Sequence, residues 1–456
     1  MKRSSNIDQI LQKLSKGELI SIIAQIAERD EQLRNTLLLQ YGEGDDKQRL
    51  SAYSKLIKST VKSYKGRERY ISYRETYKFA TDMIDLLHNF DSMNNLKLAL
   101  DAAVLMLEEA IEAFQYADDS NGDIGMLVDQ TLQYVHALAY SLSDNDWSMR
   151  EFMLKRLLGL RKQGVFDDWD EFQLLIYRIC IELVNSEKLR NMLKAAIEDH
   201  VKDCAKQEFG RYTEEALLMM LYELLEIDSS SEELAKFRRK YIRLQAFRKL
   251  EIAIQMELGD YQAVIKLAQA GEKQDNSYRG LVLQWKKSRY EAYRRLGYKS
   301  EQSILAKELL LEGEYEYYEE LKALEVGDPH EFYKNMITEL KQRKGWGAQE
   351  IYLRLIAEHN DVAEMMEFVR LNPAVIEHYA SVLLDHYTEE INQLYRAHIM
   401  SIAASASNRS NYRKVCEVIK RYKKLVGKEA SSTLVAELKE KYPKRTAFLD
   451  ELNRIK

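Results

Sequence analysis

The stretch LEIAIQMELGDYQAVIKLA, residues 250–268, shows how this chain is built. Apolar residues recur through residues 250–258, and Gly259-Asp260 then supplies a short polar turn. After the turn, four residues at helical spacing form one apolar stripe. They are Tyr261, Val264, Ile265 and Ala268. The pattern predicts a helical hairpin, that is, two helices that pack against each other across the turn.

Similar turns follow further along the chain. Leu296-Gly297 comes 38 residues after the first turn, and residues 358–361 read Glu-His-Asn-Asp before another apolar stripe. The turn at residues 258–261 resembles the turn between the helices of tetratricopeptide (TPR) repeats, although the spacing is irregular and the full 34-residue pattern is absent. These turns predict TPR-like helical pairs.

Proline and glycine are scarce along the whole chain. The 456 residues include 3 prolines and 18 glycines, whereas average usage is roughly 5% and 7%. Both residues interrupt helices, and no segment of length alternates apolar and polar residues as a strand would. We therefore predict an all-α fold of stacked antiparallel helix pairs that form a TPR-like solenoid. The serine cluster after Asp228 divides an N-terminal helical region, 1–228, from a C-terminal TPR-like repeat region, 229–456.

Local patterns predict where several helices begin. Three Ser-x-x-Glu spacings have the form of a capping box, in which the serine and the glutamate each satisfy a free backbone N–H. They are Ser15 with Glu18, Ser148 with Glu151, and Ser230 with Glu233. The first of them opens a helix with an apolar stripe made of Leu19, Ile22, Ile23 and Ile26.

Charge and cysteine usage indicate the compartment. The formal net charge is -5, which argues against a general attraction to nucleic acid or anionic membranes but leaves room for local basic strips. The three cysteines, at 180, 204 and 416, lie in apolar stretches and are expected to be buried free thiols in a reducing compartment. No apolar run reaches the roughly 18 residues that span a bilayer. We expect a cytoplasmic protein without a membrane partner.

Candidate metal and catalytic residues form no recognisable motif. The acidic loop at residues 118–123 resembles a calcium loop, but with Gly122 at position six the ligand positions one and twelve fall on Ala117 and Val128. A turn that ends one helix, with Asp123 capping the next, is the favoured alternative. The eight histidines show no i, i+4 pair, and nucleotide-binding and hydrolase motifs are absent. We expect no cofactor, no metal and no catalytic residue, and hence no enzyme.

Basic strips with interleaved aromatic residues are the candidate contact surface. Residues 236–249 contain seven cations and no acid, and these seven are the candidate site residues. They are Lys236, Arg238, Arg239, Lys240, Arg243, Arg248 and Lys249. Residues 55–74 and 413–428 each contain seven cations and one acid. Such strips can contact phosphates and stack on bases, but we favour the alternative of solvated helix faces with aromatic and apolar side chains packed between repeats.

Four stretches carry a family resemblance. They are LSKGEL with AERDEQL within residues 14–33, RYISYR at 69–74, ADDSNGDIG at 117–125, and the closing segment at 438–452. Together they resemble the helical region of bacterial proteins that often carry a SWIM-type zinc finger. Those fingers use a C-x-C…C-x-H cluster, which this chain lacks. The resemblance therefore implies the helical scaffold, and implies neither zinc binding nor finger-mediated recognition for any residue here.

Three functions follow in order of preference. The first is a non-catalytic helical-repeat scaffold that binds a protein or peptide along a groove. The second is a nucleic-acid-binding protein that uses the basic strips, whose affinity would then fall steeply between 50 and 200 mM salt. The third, an enzyme built from residues distant in sequence, requires a pocket with converging polar groups.

Overall fold

The computed structural model describes residues 10–30, 33–37, 45–88, 95–167, 169–204, 211–325, 327–343 and 345–455. Within these ranges the regular structure is helical, and the β-type pairing is limited to one isolated parallel bridge between Ile71 and Ala117. The chain divides into two compact units, residues 1–251 and 252–456. The prediction of an all-α fold of stacked helix pairs is confirmed for the described residues.

The helices of the first unit whose two ends both lie in the described ranges are α1 (Lys16–Arg29), α2 (Asp46–Lys65), α3 (Thr76–His88), α4 (Leu96–Ala113), α5 (Asp123–Tyr140), α6 (Trp147–Lys162), α7 (Asp170–Leu183), α8 (Glu187–Cys204), α9 (Arg211–Glu226) and α10 (Ser231–Lys240). Helix α11 (Gln245–Leu258) contains the boundary. The predicted division at residues 228 and 229 stays a prediction, because compact units need not coincide with segments that fold independently.

The helices of the second unit are α12 (Tyr261–Gln274), α13 (Arg279–Leu296), α14 (Lys299–Leu311), α15 (Tyr317–Leu324), α16 (Pro329–Gln342), α17 (Trp346–Glu358), α18 (Val362–Leu371), α19 (Ile376–Ser405), α20 (Arg409–Val426), α21 (Lys428–Lys441) and α22 (Thr446–Asn453). A short 3-10 turn at Pro373–Val375 precedes α19. Tyr387 interrupts α19 with non-helical backbone angles, so α19 is kinked at that residue.

The core of the first unit is organised around α4. This helix is apolar on nearly every side and buries residues from Leu98 to Ala113, including Val104 and Leu107, as expected of a helix enclosed by others. It packs against α2, α3, α5 and α6. The residues between α2 and α3 are tied to the end of α4, since Ile71 donates its N–H to the Tyr116 carbonyl and accepts from the Asp118 N–H, both at 2.9 Å.

A recurring helix-ending turn organises the second unit. Gly259, Gly297 and Asn360 each take a left-handed backbone conformation, with φ of 76°, 70° and 47°. In each case the next residue donates its N–H to the carbonyl five residues earlier, which is the long bond of the Schellman motif. The bonds are Asp260 to Gln255 (2.9 Å), Tyr298 to Tyr293 (3.0 Å) and Asp361 to Ile356 (2.8 Å). The three turns predicted to be equivalent therefore share one hydrogen-bond geometry.

Two of the three predicted capping boxes are confirmed. Ser15 caps α1 and Ser230 caps α10, each with its glutamate three residues later. The prediction for Ser148 was wrong, because the N-cap position of α6 belongs to Asp146. The Asp146 carboxylate instead accepts the backbone N–H and the hydroxyl of Ser143, at 2.9 and 2.8 Å. A Ser-x-x-Glu spacing thus marked the right helix but the wrong first residue.

The acidic loop leads into α5 as predicted, but α4 ends before it, at Ala113, and a different aspartate caps α5. Asp119 accepts the backbone N–H of Ile124 at 2.7 Å and stabilises the start of α5. Asp123, the predicted cap, is buried and accepts the hydroxyl hydrogen of Thr76 at 2.6 Å. The predicted cap was therefore wrong because Asp123 is already the first helical residue, where its carboxylate faces α3.

Helix α1 forms as predicted, but its apolar stripe stays exposed. Ile22, Ile23 and Ile26 are 38%, 44% and 47% exposed, and none of the α1 side chains is buried. The N-cap and the helix propensities of its residues therefore account for this helix. Its apolar stripe is not a face that the core buries. None of the described helices combines the length and the apolar composition needed to cross a membrane.

Candidate functional site

The seven cations of residues 236–249 do not share one face. Lys236, Arg239, Lys240 and Arg243 are exposed, Lys249 is half-buried, and Arg238 and Arg248 are buried. The strip spans the end of α10, the turn and the start of α11. Each successive residue therefore points in a new direction, and the structure brings only part of the predicted contact surface to the exterior.

Acids from outside the strip pair with several of its cations. Arg238 donates from Nε to Glu251 Oε2 at 2.6 Å and from Nη1 to the Tyr222 hydroxyl at 2.9 Å. Two exposed cations also form salt bridges, Lys236 with Glu232 (2.8 Å) and Arg243 with Glu214 (2.9 Å). The local excess of positive charge seen in the sequence is thus reduced in the folded chain.

The other two strips are also partly paired. Lys65 lies with Nζ 3.5 Å from the ring centre of Tyr116, and Arg74 lies over the ring of Tyr73. In residues 413–428, three cations pair with acids: Arg413 with Glu451 (3.4 Å), Lys420 with Glu417 (2.7 Å) and Arg421 with Glu377 (2.9 Å). The apolar stripe of α20, from Val415 to Tyr422, is buried.

A different surface stands out, at the start of α17. Trp346 is 91% exposed, the highest value for a large apolar side chain in the part of the chain that the structure describes. Exposed tryptophan is unusual because the indole buries a large apolar area when it is covered. At protein interfaces tryptophan is enriched and frequently contributes much of the binding energy.

Glycines on both sides fix the position of Trp346. Gly345 has φ of 144°, which L-residues rarely adopt, so glycine is required at this helix start. A Cβ on Gly347 would lie 2.6 Å from the carbonyl oxygen of Glu312 and 3.0 Å from Gly313 Cα. The backbone of α17 is therefore in direct contact with the turn after α14, and this contact anchors the residue that presents the indole.

Two cavities share the lining residues Arg343 and Gly345, which are close to Trp346 in sequence. One, of about 320 Å³, lies beside α13 and the end of α14 and includes Val282 and Leu311. The other, of about 310 Å³, lies between the ends of α16, α17 and α18. Its apolar part consists of Leu340, Tyr352, Phe368 and Leu371. Leu371 is itself 73% exposed, so the second cavity is an open and largely apolar groove.

Charges around the groove differ in their pairing. Lys341 is held by Glu364 and Glu367, at 3.0 and 2.7 Å. Arg343 is exposed and forms no salt bridge with any residue that the structure describes. An exposed guanidinium beside an apolar groove can bind a carboxylate of a partner in a bidentate manner. The groove with Arg343 and Leu371 can therefore accept an apolar side chain and an acidic one together. We use the name Trp346 surface for this groove and Trp346, which follows its lining residue Gly345 in the chain.

The cysteines and histidines form no metal-binding cluster. All three cysteines are buried free thiols, as predicted. In the described ranges, no three His, Cys, Asp or Glu side chains are grouped so that they could hold a metal ion.

Sequence reasoning missed the Trp346 surface. A signal was present, because Gly345-Trp346-Gly347 puts two glycines around an aromatic residue in a chain with few glycines. A glycine pair of this kind indicates a backbone that must approach another segment closely or take an unusual conformation. Both conditions hold here, at Gly347 and Gly345 respectively.

Comparison with known proteins adds little to this description. No protein-family model and no curated protein matches the chain. Among solved structures, one described as "Circular tandem repeat protein with novel repeat topology and enhanced subunit contact surfaces" is 13% identical and aligns over 90% of this chain and 95% of its own. The TM-score of 0.19 is too low for an argument about fold or function. The fold assignment rests on the helices and turns described above.

Proposed function

We propose that this chain is a non-catalytic helical-repeat scaffold that binds a protein or peptide partner, and that the Trp346 surface is the docking site. The observation that carries the proposal is the 91% exposure of Trp346 on a backbone fixed by Gly345 and Gly347. An anchored aromatic residue loses little conformational entropy when it is covered, which favours its use in binding.

The chemistry of the surface suggests the kind of partner. The groove of this surface offers Tyr352, Phe368 and Leu371 to an apolar side chain. Arg343 lies at its edge without a salt bridge in the described part of the chain. A segment with a large apolar residue and a nearby Asp or Glu would be complementary to both features. We propose a peptide segment of this composition as the partner.

The remaining expectations belong to the same proposal. We propose a cytoplasmic scaffold related to the helical region of SWIM-associated proteins, as the four sequence stretches suggest. Nucleic acid receives less support than a peptide partner, because many cations of the basic strips pair with acids or are buried.

Site-specific photo-crosslinking in cells tests the proposal. A photo-reactive phenylalanine analogue replaces Trp346 in one strain and Tyr140, which is 83% exposed in the first unit, in another. Both positions are exposed aromatic residues, so the label should not disturb folding at either. We expect a discrete crosslinked species of constant composition from position 346 only. Products that are identical at both positions, or no product from position 346, would refute the assignment.

A further inference from the structure

A polar cavity of about 580 Å³ lies among the ends of three helices in the first unit. Helix α7 contributes Asp170 and Gln173, and α8 contributes His200 and Asp203. Each pair is spaced i, i+3, so its members lie on one side of their helix. Arg161, from the last turn of α6, and Asp167 also line the cavity. A volume of this size lies within the range of roughly 300–1,000 Å³ that small-molecule sites occupy.

Two buried side chains in this cavity carry polar atoms with no hydrogen-bond partner among the residues that the structure describes. Gln173 is 2% exposed, and neither its amide oxygen nor its amide nitrogen has a partner. His200 is 7% exposed, and its Nδ1 is unpartnered. Buried polar atoms are nearly always paired in folded proteins, and exceptions call for an explanation. Two exceptions lining one cavity suggest that a ligand with hydrogen-bonding groups pairs with them.

The histidine is available as a neutral group. Burial lowers the pKa of His200, and the nearby Arg161 lowers it further, against the opposing effect of Asp170 and Asp203. The neutral ring offers one N–H donor and one acceptor nitrogen. The Gln173 amide likewise offers N–H donors and an oxygen acceptor. The His200 ring and the Gln173 amide therefore do not by themselves select a ligand by its charge.

Charge discrimination comes from the carboxylates. Among the lining residues that the structure describes, Asp167, Asp170 and Asp203 are acidic and Arg161 is basic. That guanidinium is already engaged, because Nη1 lies 3.3 Å from the Asp199 carboxylate and Nη2 binds Asp203. The lining therefore has an excess of negative charge, which attracts cations and repels anions.

We propose that this cavity binds a small organic cation with N–H donors, of the guanidinium or alkylammonium class. The amide oxygen of Gln173 and the carboxylate of Asp170 are the acceptors for its N–H groups. Asp170 already accepts the hydroxyl hydrogen of Thr213 at 2.9 Å through Oδ2, so its other oxygen serves the ligand. The cavity lies in the first unit and the Trp346 surface in the second, and either assignment can fail without the other.

Matched probes test the proposal on the full chain. n-Propylguanidinium and n-propylurea have nearly the same shape, but only the first is charged. Isothermal titration calorimetry with each probe should show saturable 1:1 binding of n-propylguanidinium and at least about tenfold weaker binding of n-propylurea. Equal affinities, or no saturable binding of n-propylguanidinium, would overturn the proposal and leave the polar groups to ordered water.

Two variants locate the binding. Gln173→Leu removes the unpartnered amide with little change in volume and should weaken n-propylguanidinium binding at least about tenfold. Glu171→Gln removes one negative charge from an exposed position of α7 and should leave the affinity unchanged. Circular dichroism verifies that both variants fold. If Gln173→Leu does not fold, the comparison of n-propylguanidinium with n-propylurea in the unaltered chain still tests the proposal. Equal affinity in both folded variants would contradict the assignment.

NMR spectra of the probe separate binding from catalysis. The cavity supplies the converging polar groups that the enzyme hypothesis requires. The proposal is one of binding, so NMR spectra should show n-propylguanidinium chemically unchanged after prolonged incubation with the protein. Conversion of the probe would contradict it.

Discussion

Replacing Gly271 by alanine should destabilise the second unit, because a Cβ at this position has no room. Gly271 lies in α12, and the added Cβ would come within 2.8 Å of Cδ1 and Nε1 of Trp285. The indole is 1% exposed, and its Nε1 donates to Asp275 Oδ2 at 2.9 Å. Asp275 is itself buried, so the ring cannot move aside without disturbing this hydrogen bond.

The expected magnitude follows from three contributions. Overpacking a core costs about 1–3 kcal/mol, and losing a hydrogen bond to a charged group costs about 1.5–3 kcal/mol. Alanine regains about 1 kcal/mol over glycine inside a helix. We therefore expect the free energy of unfolding to fall by roughly 1.5–5 kcal/mol.

Gly280→Ala is the matched control. It makes the same change at the start of α13, where no atom lies within 4 Å of the new Cβ. This variant should be more stable than the unaltered chain by about 0.5 kcal/mol. Urea unfolding followed by far-ultraviolet circular dichroism measures both variants, and hydrogen exchange of peptides from α12 and α13 localises the effect. The packing argument is refuted if Gly271→Ala is as stable as the unaltered chain, or if the two variants shift in the same direction.

Three further predictions concern other parts of the chain. Gly347→Ala should destabilise the start of α17 by about 1–3 kcal/mol, because its Cβ would clash with backbone atoms; faster hydrogen exchange in α17 alone would report it. Asp119→Ala removes the cap of α5 and should lower the free energy of unfolding by about 1 kcal/mol, as measured in urea. Burial raises the pKa of the Cys204 and Cys416 thiols to about 11 and raises that of Cys180 as well. Little thiolate is therefore present at pH 8. A colorimetric disulfide reagent should modify these thiols slowly in the folded chain and fast in urea. Equal rates under the two conditions would contradict their burial.

Much of the fold could be predicted because helix signals are local. Few prolines and glycines interrupt the helices. The capping boxes at Ser15 and Ser230 and the turn at Gly259 each involve residues close in sequence. The cap of α5 was assigned wrongly because Gly122, with a left-handed backbone, takes the N-cap position and makes Asp123 the first helical residue. The Asp119 carboxylate reaches the Ile124 N–H from three residues before the N-cap, through the folded shape of the loop.

The candidate sites were harder to predict because they combine distant segments. Residues 236–249 are basic in sequence, but Glu214 and Glu251 neutralise two of their cations only in the folded chain. The polar cavity likewise joins Gln173 and His200 from different helices, and no local spacing connects them. Burial of the α1 stripe could not be read from periodicity either, since a period shows which residues share a face and not what covers it.

Binding of a partner at the Trp346 surface can be measured as an affinity. The partner segment identified by crosslinking is titrated against the unaltered chain, Trp346→Ala and Tyr140→Ala. Loss of a central tryptophan typically costs about 2 kcal/mol or more, so we expect the dissociation constant to rise roughly 30-fold or more in Trp346→Ala and to stay constant in Tyr140→Ala. Equal dissociation constants for Trp346→Ala and the unaltered chain would contradict the account.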